Sequence, residues 1–222
     1  MKKGEKKSKL KLTKRLRIPK SLQEDFLREQ GFEFIAGVDE VGRGAWAGPL
    51  VAGAVILSKK LYGLRDSKLL SAKEREKLSK KIKKTSLWGI GEVSVDELNK
   101  LKLTKATYLA FNRAIKALKV KPDFILLDGS PGLYPERARA SRMGCRAIKK
   151  GDMTCSSIAA ASIIAKVHRD KLMRQLDKKI KGYYFSSHKG YGTKLHQNRL
   201  SKLGPSEHHR KFYKSIKKLE SR

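Results

Sequence analysis

The chain has 222 residues, 53 of them Lys or Arg against 21 Asp or Glu, and its formal net charge of +32 draws polyanions to it, so nucleic acid is the leading partner. The length suits one domain with short extensions. Basic residues spread through the whole chain, no apolar run of the ~18–20 residues a bilayer needs and no signal-peptide core argue against a membrane; Cys145 and Cys155, with no CxxC and no zinc-spaced Cys/His cluster, point to a reduced, cytoplasmic protein.

Residues 1–20 hold ten Lys and Arg and one acid, Glu5, closed by Pro19. Such a stretch cannot bury a core and reads as a mobile arm, either a solvated tail or an electrostatic clamp. Ser21 to Gln30 reads as a short helix with Ser21 as N-cap and Gly31 as stop. Phe32–Glu40 and Pro49–Ser58 read as strands. Ser71 opens a charged helix to Lys84. Leu87–Val95 is a third strand, and Val95–Leu118 is helical in two pieces around Lys100–Lys105. Asp123–Asp128 is a short apolar strand stopped by Gly129-Ser130-Pro131-Gly132, and Cys145–Lys149 is a fifth. Thr154–Leu176 reads as a long helix with an Ala-rich middle, and the tail is basic with interleaved Tyr, Phe and His. Three leading strands followed by helix–strand alternation give a mixed sheet covered by helices, with a parallel crossover from the third strand to the fourth.

Four acids stand out by position. Asp39 and Glu40 end the first strand, Asp128 ends the fourth, and Asp152 sits just before the long helix. If the first and fourth strands are neighbours, Asp39 and Asp128 meet at one sheet edge, because adjacent strands lie ~4.8 Å apart. Successive strand residues point to opposite faces, so Asp39 and Glu40 can serve one site only if the strand breaks at Glu40, as Gly42 and Gly44 allow. Taken singly, Asp128 is a loop-opening Asp and Asp152 a helix N-cap. Taken together, they favour a site for Mg²⁺ or Mn²⁺, hard ions that prefer oxygen ligands. Two such ions can activate water and stabilise the leaving oxygen in phosphodiester hydrolysis.

The segments GVDEVGRG (37–44) with WAGPLVAGAVIL, DSKLLS (66–71), Glu97-Leu98-Asn99, LLDGS (126–130), KGDMTCSSIAAASIIAKVHRD (150–170), HKGYGT (188–193) and EHHRKF (207–212) resemble bacterial ribonuclease HII, over roughly residues 33 to 214. The resemblance implies a ribonuclease H-like α/β fold, a five-stranded mixed sheet flanked by helices, in a catalytic domain spanning 33–185. A basic arm (1–32) precedes it, and a basic helical substrate-binding segment (186–222) packs on the same domain. It implies cleavage of the RNA strand of RNA–DNA hybrids and incision 5′ of ribonucleotides embedded in duplex DNA, leaving 5′-phosphate and 3′-hydroxyl ends. The family's metal ligands map onto Asp39, Glu40, Asp128 and Asp152. Its ribose-sensing turn maps onto Gly42, Arg43 and Gly44, its junction-sensing tyrosine onto Tyr191, and its phosphate-contacting loop onto Ser67 and Lys68. Glycines let a backbone approach a nucleotide closely, and the 2′-hydroxyl is what separates RNA from DNA.

Asp170 lies ~27 Å from Asp152 along a continuous helix, too far to share a metal, and reads as an ion-pair or surface residue. His188, His208 and His209 read as nucleic-acid contacts or solvated side chains rather than bases. The chain is expected to act as a monomer in ribonucleotide removal and replication. Two other readings stay open: a ribonuclease HIII-like enzyme, against which the HKGY loop and the lack of an N-terminal platform speak, and a non-catalytic basic nucleic-acid binder, which would need no acidic cluster.

Overall fold

A computed structural model of the protein describes residues 21–59, 61, 63, 64, 67, 70–129 and 144–220. The basic segment 1–20, Asp66 and Lys68 lie outside the described residues. Five strands form one sheet in the order β3-β2-β1-β4-β5: β1 (Ile35–Val41), β2 (Leu50–Ile56), β3 (Leu87–Val93), β4 (Phe124–Asp128) and β5 (Gly144–Ile148). β1 pairs antiparallel with β2, and β2 with β3, whereas β1–β4 and β4–β5 are parallel. The chain therefore crosses from β3 to β4 over the intervening strands, as the alternation of elements predicts. The first strand starts later than its apolar run. The amides of Glu33 and Phe34 are taken by the Asp123 carboxylate at 2.8 and 3.0 Å, which fixes the lead-in without a ladder.

Helix α1 (Leu22–Glu29) precedes the sheet, α2 (Ala72–Thr85) follows β2, and α3 (Val95–Lys116) joins β3 to β4. Ser71–Glu74 and Ser94–Glu97 are reciprocal capping boxes at the starts of α2 and α3. α3 is broken at Lys102 (φ 60°, ψ 176°), inside the stretch expected to divide it. The long helix differs from its sequence reading. It does not run on from Thr154: the chain extends at Cys155 (φ −115°, ψ 126°), which separates a single turn, α4 (Gly151–Thr154), from α5 (Ser156–Lys179). Asp152 therefore lies inside α4 instead of capping α5. The cap comes from α1: Glu24 Oε1 accepts both the Ser157 amide and its hydroxyl at 2.8 Å, a carboxylate at the positive end of a helix. Ser21, expected as an N-cap, makes no cap bond and instead meets the Ser156 hydroxyl at 2.8 Å.

The sheet separates two apolar layers. Ala36, Val38, Ala52 and Ala54 face Leu98, Ala106, Ala110 and Phe111 of α3. On the other face Val55 packs with Ala159–Ala161, Ile163 and Ile164 of α5. Gly37 sets how closely α5 approaches, since a Cβ there would lie 2.2 Å from the Ser157 carbonyl carbon. The period of two along β1 then puts Asp39 on the same side as Gly37, under the start of α5. Three helices follow: α6 (Phe185–His188), α7 (Lys194–Leu203) and α8 (Lys214–Glu220). Tyr183, Phe185, Leu200 and Ile216 from this region pack with Trp46, Ala47 and Met173, which holds the C-terminal helices against the loop after β1. No described helix is long and apolar enough to cross a membrane.

Candidate active site

The last β1–β4 pair is Val38–Leu127, and the next residue on each strand is an acid, Asp39 and Asp128. One cleft is lined by Asp39, Glu40, Gly42, Arg43, Gly44, Ser67, Asp128 and Tyr191, together with Arg75, Ser162 and Lys166. Asp152 is 5 % exposed and acts on the same cleft from α4, its charge reaching Asp39. The structure thus gathers the four acids, the glycine turn, Ser67 and Tyr191. Lys68 is outside the described residues.

The expected strand break at Glu40 is not there. β1 continues to Val41, paired with Val51, and turns only at Gly42 (φ +94°). Glu40 still lines the cleft because β4 has ended beside it, leaving that flank of β1 open. The Glu40 amide donates to Asp39 Oδ1 at 2.7 Å, and Arg43 reaches Glu40 Oε1 at 3.4 Å. Asp128 Oδ1 accepts the Gly151 amide at 2.7 Å, which ties β4 to the turn carrying Asp152.

Burial pushes the Asp39 carboxyl well above the ordinary carboxylate range, and Glu40, Asp128 and Asp152 add repulsion, partly offset by a hydrogen bond from Ser162. Burial also raises Glu40, against the pull of Arg43. Glu40 Oε2 is buried with no hydrogen-bond partner. Among the described residues no group of three or more His, Cys, Asp or Glu side chains is placed to hold a metal ion as it stands. Repelling carboxylates and an open buried oxygen fit a hard divalent cation that keeps several waters and takes further oxygens from a phosphate. They do not make the closed cage of a structural zinc site.

Two residues beneath the turn escaped the sequence reading. Arg169 and Arg210 are each 0 % exposed. Arg169 donates to the carbonyls of Pro49 (2.9 Å), Lys189 (2.9 Å) and Ala47 (3.2 Å). Arg210 donates to Gly42 (2.7 Å), Gly48 (3.0 Å), Arg43 (3.1 Å) and Pro49 (3.1 Å), and the Tyr213 hydroxyl also donates to the Arg43 carbonyl. Burial and the Arg169 charge push Arg210 down to about 10. A sequence signal for part of this existed: Ser162, Lys166 and Arg169 fall at i, i+4 and i+7, one face of α5. Ser67 is placed differently from a free phosphate contact, because it is buried and its hydroxyl meets Ser162 at 3.0 Å. Asp170 pairs with Lys166 at 2.7 Å, the ion pair expected of it. The histidine reading is corrected: His188 and His209 are buried among aromatic rings, so neither is a solvated side chain.

A five-stranded mixed sheet flanked by helices, with acids at the ends of two parallel strands facing a glycine–arginine turn, is the architecture of the ribonuclease H-like class. The family model described as Ribonuclease HII matches residues 36–216. Ribonuclease HII of Vibrio vulnificus is 45 % identical over 192 residues, covering 85 % of this chain and 90 % of that protein. The ribonuclease H2 structure of Pyrococcus horikoshii superposes with a TM-score of 0.72 at 26 % identity, covering 85 % of this chain and 98 % of the other. The ribonuclease HII of Archaeoglobus fulgidus, solved in complex with PCNA, gives 0.70 at 28 % identity, covering 82 % and 96 %. The chain belongs to the ribonuclease HII family. It is therefore a nuclease, and the ribonuclease HIII-like and non-catalytic readings fall away.

Proposed function

We propose that this protein is a divalent-metal-dependent endoribonuclease that cuts the RNA strand of RNA–DNA hybrids and incises 5′ of ribonucleotides embedded in duplex DNA. The observation that carries the proposal is the shared cleft: Asp39, Glu40 and Asp128 face the Gly42-Arg43-Gly44 turn and Tyr191 across one space. Family membership supports hydrolysis of hybrids, and the turn beside the acids supports recognition of a single ribonucleotide.

Asp39, Glu40, Asp128 and Asp152 would hold Mg²⁺ or Mn²⁺. Bound there, two such ions supply an activated water and neutralise charge on the leaving oxygen. The residues of the chain do the rest. Arg43 offers its guanidinium fork to a phosphate oxygen. Gly42 and Gly44 let main-chain groups reach the 2′-hydroxyl, and Tyr191 closes the cleft on the side of the following deoxyribose. Ser67, through Ser162, braces Asp39, and Lys68 is assigned to a neighbouring phosphate. Water oxygen bonds to phosphorus, and the bond from phosphorus to the upstream O3′ breaks. The downstream fragment then carries a 5′-phosphate and the upstream one a 3′-hydroxyl. The protein acts as a cytoplasmic monomer in ribonucleotide removal and replication, its net charge of +32 drawing it to duplexes.

The test is incubation with duplex DNA carrying one ribonucleotide, with and without Mg²⁺ or Mn²⁺. Incision on the 5′ side only when metal is present is expected. Cleavage in excess chelator, or cutting on the 3′ side, refutes the reading. Melting gives a second readout: Mn²⁺ should raise the melting temperature of the native protein and not that of Asp128→Asn.

A further inference from the structure

Tyr191 is attached to the cleft through its main chain. Its amide donates to the His188 carbonyl at 3.0 Å, and its carbonyl accepts the Thr193 amide at 2.8 Å. It bridges to Ala45, just after the glycine turn, and its ring lies 5.5 Å from the Arg169 guanidinium. Behind this peptide sit three buried histidines. The His188 and His196 rings stack at 4.2 Å and 14°. His196 and His209 meet Nε2 to Nε2 at 3.0 Å, and His196 Nδ1 lies 3.0 Å from the Tyr191 carbonyl oxygen.

Donors and acceptors fix where the protons sit. A backbone amide can only donate, and the Ser206 amide lies 2.9 Å from His209 Nδ1, closer than the Ser206 carbonyl at 3.3 Å, so that nitrogen is the acceptor. Neutral His209 then carries its proton on Nε2 and donates to His196 Nε2. His196 must in turn carry its proton on Nδ1 and donate it to Tyr191. His188 is fixed in the same way: Nδ1 accepts the Gly190 amide at 3.1 Å, and Nε2 donates to the Tyr183 carbonyl at 2.8 Å. The bond made by one ring nitrogen decides the state of the other.

We propose that His209 and His196 are positioning residues for Tyr191, forming a two-imidazole hydrogen-bond chain that holds the tyrosine peptide against the glycine turn and thereby supports recognition of a single ribonucleotide. The proposal rests on the reading of Tyr191 as a substrate contact. Two partners select the same tautomer of His196: the Tyr191 carbonyl requires a proton on Nδ1, and the donor from His209 requires a bare Nε2. The chain operates with every ring neutral. Trp46 and Phe185 flank His196, and Tyr183 and Phe185 flank His209. The ionisable groups acting on the two rings are His188 and His208, while Asp177 and Lys189 act on His188. Burial first, and then these neighbouring imidazoles, push His196 and His209 down to about 4, which keeps the chain intact at neutral pH.

Two measurements test this. Imidazole ¹⁵N spectra of the native protein at pH 7 should show His196 protonated on Nδ1 and His209 and His188 on Nε2; His196 protonated on Nε2 overturns the proposal. The second reads the ratio of kcat/KM at a single embedded ribonucleotide to kcat/KM on a continuous hybrid. Tyr191→Ala, His196→Leu and His209→Leu should each lower it by roughly three- to tenfold, the range one hydrogen bond commands. His196→Asn and His209→Gln, which place an amide donor near Nδ1 and Nε2 respectively, should restore most of it. Adding His209→Leu to Tyr191→Ala should lower it no further. A merely structural role would lower the melting temperature without moving the ratio. If Tyr191→Ala leaves the ratio unchanged, the reading of Tyr191 fails and the proposal with it. If Tyr191→Ala lowers it but both leucine variants do not, the histidine chain alone is refuted.

Discussion

Gly42→Ala probes how tightly the turn is bound to what lies beneath it. Gly42 has φ +94°, and a Cβ there would lie 2.3 Å from Arg169 Nε, 2.8 Å from Cζ and 2.9 Å from Cδ. The left-handed backbone alone costs an L-residue about 1–2 kcal/mol. The contact costs more than its atom count suggests, because this guanidinium is not a free end. It is fully buried and held by three carbonyls at 2.9, 2.9 and 3.2 Å. Relief requires either a guanidinium shift that breaks at least one charge-assisted bond, about 1.5–3 kcal/mol, or a shift of the turn itself. The sum is about 2.5–5 kcal/mol, on the order of 10 °C in melting temperature for a chain of this size. A turn displaced by about 1 Å would also misplace Arg43 and cost roughly 10²-fold in cleavage. Gly44→Ala is the control: nothing lies within 4 Å of its Cβ position, so it should melt like the native protein. Its cleavage should still fall if the 2′-hydroxyl approaches that backbone. Differential scanning calorimetry and single-turnover cleavage decide the matter. Gly42→Ala melting within about 2 °C of native, with normal cleavage, would refute the reasoning.

Asp39 has a folded pKa above its unfolded one, so its ionised form destabilises the fold at neutral pH; Asp39→Asn should raise the metal-free melting temperature while abolishing cleavage, and an unchanged or lower value would contradict the repulsion. His196 and His209 work in the opposite sense, because the unfolded chain binds protons from about pH 6.5 downward whereas the folded rings refuse them until about 4. Stability should therefore be full above pH 6.5 and fall toward pH 4, by up to about 1.4 kcal/mol per pH unit for each histidine. Urea midpoints in the Asp39→Asn background isolate this effect, and a profile left equally steep by His209→Leu would exclude the histidines as its source. Glu97 is pulled down to about 2 by the Arg113 guanidinium and the Ser94 amide. Both side chains are at least a third exposed, so Arg113→Ala should cost below about 1 kcal/mol by urea titration despite that low pKa.

β1 and β4 were legible because each is an apolar run closed by an acid, and those acids marked the site. What stayed hidden depends on partners distant in the chain. The extended residue at Cys155 follows from Glu24 capping α5, a contact 133 residues apart that no local pattern announces. Glu40 needed no strand break because β4 stops beside it, and register is set by pairing rather than by composition. His188 and His209 looked exposed because their segments are rich in charge, yet Phe185 packs on both and Tyr183 on His209. Nothing local in the sequence marked Arg169 or Arg210 as buried. Their burial requires carbonyls that turn inward from residues 42–49 and, for Arg169, from Lys189, which only the assembled fold supplies.

Arg210 reaches back 168 residues to the Gly42 carbonyl. A polypeptide is made from its N-terminus, so the acids of β1 leave the ribosome long before the residue that fastens the neighbouring turn. During most of synthesis the nascent chain carries the pieces of a phosphodiester-cleaving centre without the clasp that aligns them. A nuclease born among RNA molecules thus acquires its cutting geometry late, when the segment bearing Arg210 and Tyr213 has emerged and docked.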